Sequence, residues 1–281
     1  QDYNFPLEAY FAVPFLWLGI SPWEAIPVSA ILVSVFPFVF ISFVLFKRKY
    51  WLSSYLFLLI PICMPFEYDM VSSMSRGFTN GLFFCGFLVF PLLDPKKLTS
   101  FCILGLCFSI GYFVNPNSLI FSLPLLFYIF LNNLKNLKFY LITGLSIIPG
   151  LIGSFFAHQF YIKNPEYVAH DMWELKFSFS TLVNRLSELD IYFKHLTPFY
   201  FKGHWLVVLL LLITAIYLML KEKKKGITLL LSVVFIVLCL GINKLDDYVN
   251  SIFLSPARMF LALPLLLSLG FSWSSLKIKK I

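Results

Sequence analysis

Residues 205–242 read WLVVLLLLITAIYLMLKEKKKGITLLLSVVFIVLCLGI. Two apolar runs, each free of Asp, Glu, Lys and Arg, flank a connector made of Lys221, Glu222, Lys223, Lys224 and Lys225. A run of this length forms a helix of about 25 Å, close to the roughly 30 Å of hydrocarbon in a bilayer. In lipid the backbone groups must be satisfied within the segment, so a helix is required, and no alternating ten-residue pattern signals a barrel. The stretch predicts a hairpin of two membrane helices whose turn lies at a positively charged surface.

The same grammar repeats along the chain. Apolar runs fall at 25–46, 51–66, 78–93, 98–114, 118–131, 139–157, 205–220, 226–242 and 259–275, and none contains an ionised side chain. The reading is all-α: a polytopic transmembrane helix bundle of about nine spans, one transmembrane domain over residues 1–281. A hydrophobic content of 59%, only 13% charged residues and a mean hydropathy of +0.85 exclude a soluble domain, which needs more charged surface. Cys63, Cys85, Cys102, Cys107 and Cys239 all lie in apolar runs and read as packed free thiols.

Every second connector is basic: Lys47 to Lys49, Lys96 and Lys97, Lys135 and Lys138, Lys221 to Lys225, and Lys277 to Lys280. This set holds 14 of the 22 basic residues with only Asp94 and Glu222 as acids; the other side holds eight basic residues and twelve acids. By the positive-inside rule the first set is cytoplasmic and the second faces outward. The formal charge of +8 is thereby used in orienting the chain, and nucleic acid is not an expected partner. The setting expected is a bacterial cytoplasmic membrane.

The outward connectors carry the polar chemistry. Residues 1–24, with Pro6, Pro14 and Pro22, read as an outer loop with a half-buried helix. Residues 158–204 are long enough to cap the bundle, and Leu182, Val183, Leu186, Leu189 and Phe193 in it repeat at helical spacing. Asn184, Arg185, Ser187, Glu188 and Asp190 fall on the opposite face, so 182–193 is expected to be an amphipathic helix lying in the outer interface with these residues toward water.

The candidate site residues come from the shorter connectors. Glu67 and Asp69, two residues apart, can orient a hydroxylated substrate and are the candidate catalytic carboxylates. Arg76 precedes the run at 78–93 and Arg258 the run at 259–275, so each adds a guanidinium to a helix start, where a phosphate is well held. Asn115 and Asn117, between two short runs, and His170, in the large loop, complete the candidate substrate-binding set. No Walker, GxGxxG, HExxH, GxSxG or CxxC motif occurs, which removes support for nucleotide-driven transport, Rossmann cofactors, zinc proteolysis and serine hydrolysis.

Taken in order, Asn4-Phe5-Pro6-Leu7-Glu8-Ala9-Tyr10, Leu18-Gly19-Ile20-Ser21, Ser75-Arg76-Gly77-Phe78, the paired short runs in 111–131 and the segment 255–264 resemble the GT-C superfamily. These are polytopic glycosyltransferases that use lipid-phosphate-linked sugars, among them protein O-mannosyltransferases and aminoarabinose transferases of lipid A. Many members carry His-Pro-Pro-Leu where this chain has Asn4-Phe5-Pro6-Leu7. The resemblance implies sugar transfer from a polyprenyl-phosphate donor to a lipid, glycan or protein acceptor at the outward face, with Arg76 and Arg258 holding the departing phosphate and Glu67 and Asp69 serving the acceptor or a divalent cation. It also implies that the principal catalytic acid lies upstream of residue 1, in an outer loop preceding Gln1. A lipid-linked saccharide flippase or transporter, and an O-antigen-type polymerase, are the alternative functions.

Overall fold

A computed structural model describes residues 7–63, 81–82, 84–114, 120–164, 176–190, 204–243, 260 and 262–274. The helices are α1 (Leu7–Trp17), α2 (Pro22–Lys47), α3 (Trp51–Cys63), α4 (Val89–Leu93), α5 (Leu98–Val114), α6 (Leu123–Leu131), α7 (Leu137–Lys163), α8 (Phe179–Leu186), α9 (His204–Lys221), α10 (Lys223–Leu238) and α11 (Ala262–Trp273). A two-residue strand, β1 (Lys176–Phe177), pairs with another, β2 (Ile242–Asn243). Each of the nine apolar runs contains helix. Three helical stretches, Pro22–Lys47, Leu137–Lys163 and Lys223–Gly241, are long and apolar enough to cross a membrane, and five further apolar helices are shorter. The chain is thus a helical membrane protein.

Local chemistry sets the element ends. Ser21 precedes α2 and donates its hydroxyl to the Glu24 carboxylate at 2.8 Å, and Pro22 opens the helix, where its missing N–H costs nothing. Asn136 caps α7 by accepting from the Phe139 amide. Both α1 and α2 end in the same hydrogen-bonded turn. Gly19 N–H reaches Leu16 O and Ile20 N–H reaches Phe15 O; Lys49 N–H reaches Phe46 O and Tyr50 N–H reaches Leu45 O. This Schellman arrangement requires a left-handed residue, supplied by Gly19 at φ 81° and, unusually, by Lys49 at φ 66°. Within the stretch 1–24, expected as an outer loop with a half-buried helix, the described residues 7–24 form α1 and its elbow into α2, with Trp17 and Trp23 exposed.

Small residues bring α5 and α7 together. A Cβ on Gly105 would meet the Thr143 carbonyl oxygen at 2.6 Å, one on Gly150 would meet the Ser109 Cα at 2.6 Å, and one on Gly153 would meet the Phe113 ring at 2.9 Å. Close backbone approach of this kind is how membrane helices associate where water supplies no hydrophobic drive. Between α2 and α3, Ser42 and Ser54 each donate to the other's carbonyl at 2.8 Å. Other buried hydroxyls, such as Ser34, Thr228 and Ser272, are satisfied by the carbonyl four residues earlier.

Polarity is inverted relative to a soluble bundle. Hydroxyls such as Ser34, Ser232 and Ser272 sit inside with Phe38, Phe57 and Leu266, while Phe36, Phe40 and Phe43 of α2, Leu141, Leu145, Ile152 and Phe155 of α7, and Leu209, Ile213 and Ile216 of α9 are exposed. In water these bands would be an aggregation surface; against acyl chains they have no such cost.

The basic connectors gather at one end. Arg48 pairs with Asp94 at 2.9 Å, Lys97 with the same carboxylate at 2.8 Å, and Asn133 donates to Pro95 O at 2.9 Å. Lys225 lies 5.9 Å over the Trp273 ring, which in turn meets Tyr128 edge to face at 4.7 Å. Four basic connectors, and the residues just before the fifth, thus share one end of the bundle.

Candidate functional site

At the opposite end, the helical run Lys223–Gly241 finishes with carbonyl groups that no further turn can satisfy. Three successive carbonyls there are taken up by the large loop. The Ser178 amide donates to Gly241 O at 2.8 Å, and a single terminal nitrogen of Arg185, Nη1, donates to Leu240 O at 2.8 Å and to Ile242 O at 2.9 Å. Beside them β1 and β2 pair antiparallel, with Lys176 opposite Asn243 and Phe177 opposite Ile242. Ser178 also caps α8 by accepting from the Thr181 amide, so one residue both starts the helix and ties it down. Asp190 accepts from the Trp205 indole at 3.0 Å, which joins the same loop to the start of α9.

Helix α8 presents three faces. Leu182 and Arg185 are buried, at 5% and 4% exposure, against the end of α10. Phe179, Val183 and Leu186, at the i, i+4, i+7 spacing of one stripe, are exposed, and Ser180, Asn184 and Ser187 form a polar exposed side. Protein, apolar surroundings and water are each met by one face, which suits a helix lying at a membrane surface.

Two expectations are corrected here. The helix expected at 182–193 begins earlier, as Phe179–Leu186, is broken by a turn at 187–188 and is helical again at 189–190, with 191–193 outside the described residues. Arg185, expected to face water with Asn184 and Ser187, is instead buried. The cause is the C-terminal end of the 223–241 helix, whose partial negative charge and unsatisfied carbonyls attract a guanidinium. Sequence periodicity assigns charge to the wet face, and only the fold reveals carbonyls 55 and 57 residues away.

The geometry of Arg185 leaves part of its chemistry unused. Its Nε is buried and makes no hydrogen bond. Among the described residues, no carboxylate pairs with its guanidinium. The side of the fork formed by Nε and Nη2 is the edge that binds a carboxylate or phosphate in bidentate fashion.

The residues expected to form the site, Glu67, Asp69, Arg76, Asn115, Asn117, His170 and Arg258, all lie outside the described residues. Of the histidines, His158 lies exposed on α7 and His204 begins α9. Among the described residues no group of three His, Cys, Asp or Glu side chains is placed to hold a metal ion. Comparison of the chain with protein families, curated proteins and solved structures returns no match.

Proposed function

We propose that the chain is a nine-span membrane glycosyltransferase that moves a sugar from a polyprenyl-phosphate donor to an acceptor at the face of the membrane opposite its lysine-rich connectors. The observation that carries this reading is the chemical contrast between the two ends. Lysine and arginine are ion-paired or solvated at one end, while the other holds a buried arginine on the inner face of a helix with an exposed apolar stripe. A lipid-linked donor needs such an end, apolar for its tail and cationic for its phosphate.

In this reading the leaving phosphate gathers negative charge as the glycosidic bond breaks, so fixed guanidinium groups stabilise the transition state more than the ground state. Arg76 and Arg258 are assigned to that phosphate. Glu67 and Asp69 are assigned to the acceptor hydroxyl or to a divalent cation, with a carboxylate taking the proton as the acceptor oxygen attacks.

The test is incubation of membranes containing the protein with a radiolabelled polyprenyl-phosphate sugar, followed by mass analysis of the acceptor fraction. Transfer that falls by about tenfold or more in Arg76→Lys and Arg258→Lys, at unchanged expression, supports the reading, since lysine keeps the charge but not the fork. Movement of the intact labelled lipid across the membrane without transfer would replace it with a flippase.

A further inference from the structure

We infer that Arg185 is a binding site for the phosphate of a lipid headgroup, held by the Nε and Nη2 edge of its guanidinium. The inference concerns the same end of the bundle to which the proposed function brings its lipid-linked donor, but it requires only that α8 lie at a membrane surface, and lipid binding is measured separately from sugar transfer.

Three observations meet at this residue. First, the cation is 4% exposed and, among the described residues, has no acidic partner. A buried charge is costly unless it is paired, and the carbonyls of Leu240 and Ile242 with the helix end behind them offset only part of a full positive charge. Second, those two carbonyls both use Nη1, so the side-on edge is unspent, with Nε buried and without a partner. Carbonyl oxygens fix the guanidinium plane, so its unspent edge is held in one orientation, and an anionic group that displaces what covers Nε meets two parallel donors. Third, Phe179, Val183 and Leu186 form an exposed apolar stripe on the same short helix. With that stripe among acyl chains, Arg185 stands at headgroup depth, where phosphate is the abundant anion.

The phosphate has two possible lipid sources, a bilayer phospholipid or a polyprenyl phosphate, and the experiment separates them. The full-length protein in detergent is treated with phenylglyoxal, which modifies arginine, and modification is followed peptide by peptide in the presence of phosphatidylglycerol, a polyprenyl phosphate, diacylglycerol or inorganic phosphate. The expected result is that Arg185 reacts about tenfold more slowly with a phosphate-bearing lipid and at an unchanged rate with diacylglycerol. Protection by phosphatidylglycerol assigns the bilayer headgroup; protection by the polyprenyl phosphate alone assigns the lipid carrier. Protection by inorganic phosphate and by neither lipid overturns the lipid assignment. No protection by any probe, or an Arg185 that stays unreactive throughout, overturns the site. Arg185→Lys provides a second arm: if this variant keeps its helical circular dichroism and still retains the lipid as the wild type does by native mass spectrometry, the bidentate site is refuted.

Discussion

Arg185 and Leu240 are 55 residues apart in the chain and are joined by a 2.8 Å hydrogen bond that ties the large loop to the end of the 223–241 helix. The bond makes Arg185 a fastener for residues 176–186 as well as a cation. Arg185→Met keeps length and apolar volume but leaves the carbonyls of Leu240 and Ile242 without their donor, at about 1–3 kcal/mol for each group that stays buried. Amide exchange in residues 176–186 should then accelerate by at least tenfold, with α5 and α7 unchanged. Exchange equal to wild type in that segment would show that the strand pair alone holds the loop.

The α5 to α7 contact makes a prediction about glycine. Gly150→Ala places a Cβ against the Ser109 backbone, which cannot swing aside, so the helices must separate. A loss of about 1–3 kcal/mol is expected, read as a lowered midpoint of thermal unfolding in detergent. Gly144→Ala, on the same helix with nothing within 4 Å of the new Cβ, should be neutral or stabilising by up to about 1 kcal/mol. Equal effects of the two substitutions would contradict the packing described.

The two Schellman turns supply an internal comparison. Gly19 adopts its left-handed conformation without steric cost, whereas Lys49 brings a Cβ into the same position. Lys49→Gly should raise stability by about 1 kcal/mol, and Gly19→Lys should lower it by a similar amount. A stabilising Gly19→Lys would be incompatible with the φ values found.

The sequence exposes the parts of this fold that depend on one-dimensional pattern. Apolar runs bounded by lysines locate the helices, because exclusion of charge from lipid is a property of each segment by itself. Boundaries are less legible where polarity and helicity part ways. The run at 139–157 is only the apolar portion of α7, which continues through His158 and Gln159 to Lys163 because a helix need not stop where the lipid does. The short run at 118–131 contains a nine-residue α6 preceded by a 3₁₀ turn at 120–122, a division that its apolar pattern does not mark.

Arg185 marks the limit of such reading. Its neighbours Asn184 and Ser187 do face outward, and the rule that sends charge to water holds for them. It fails at Arg185 because the competing acceptors belong to a helix end far along the chain. The connector residues Glu67, Asp69, Arg76 and Arg258 are legible as chemistry, two carboxylates and two arginines that precede apolar runs, but their arrangement in space is a tertiary property that spacing cannot supply.

The proposed arrangement puts the lysine-rich end and the Arg185 end on opposite sides of one membrane, separated by the roughly 27 Å of the 223–241 helix. Single cysteines at Ser187 and Lys224, both exposed, report on the two ends in a background with the five native cysteines replaced. With a membrane-impermeant maleimide, Ser187→Cys should label in intact cells and Lys224→Cys only after permeabilisation. Labelling of Lys224→Cys in intact cells, or of both positions from the same side, would contradict the account.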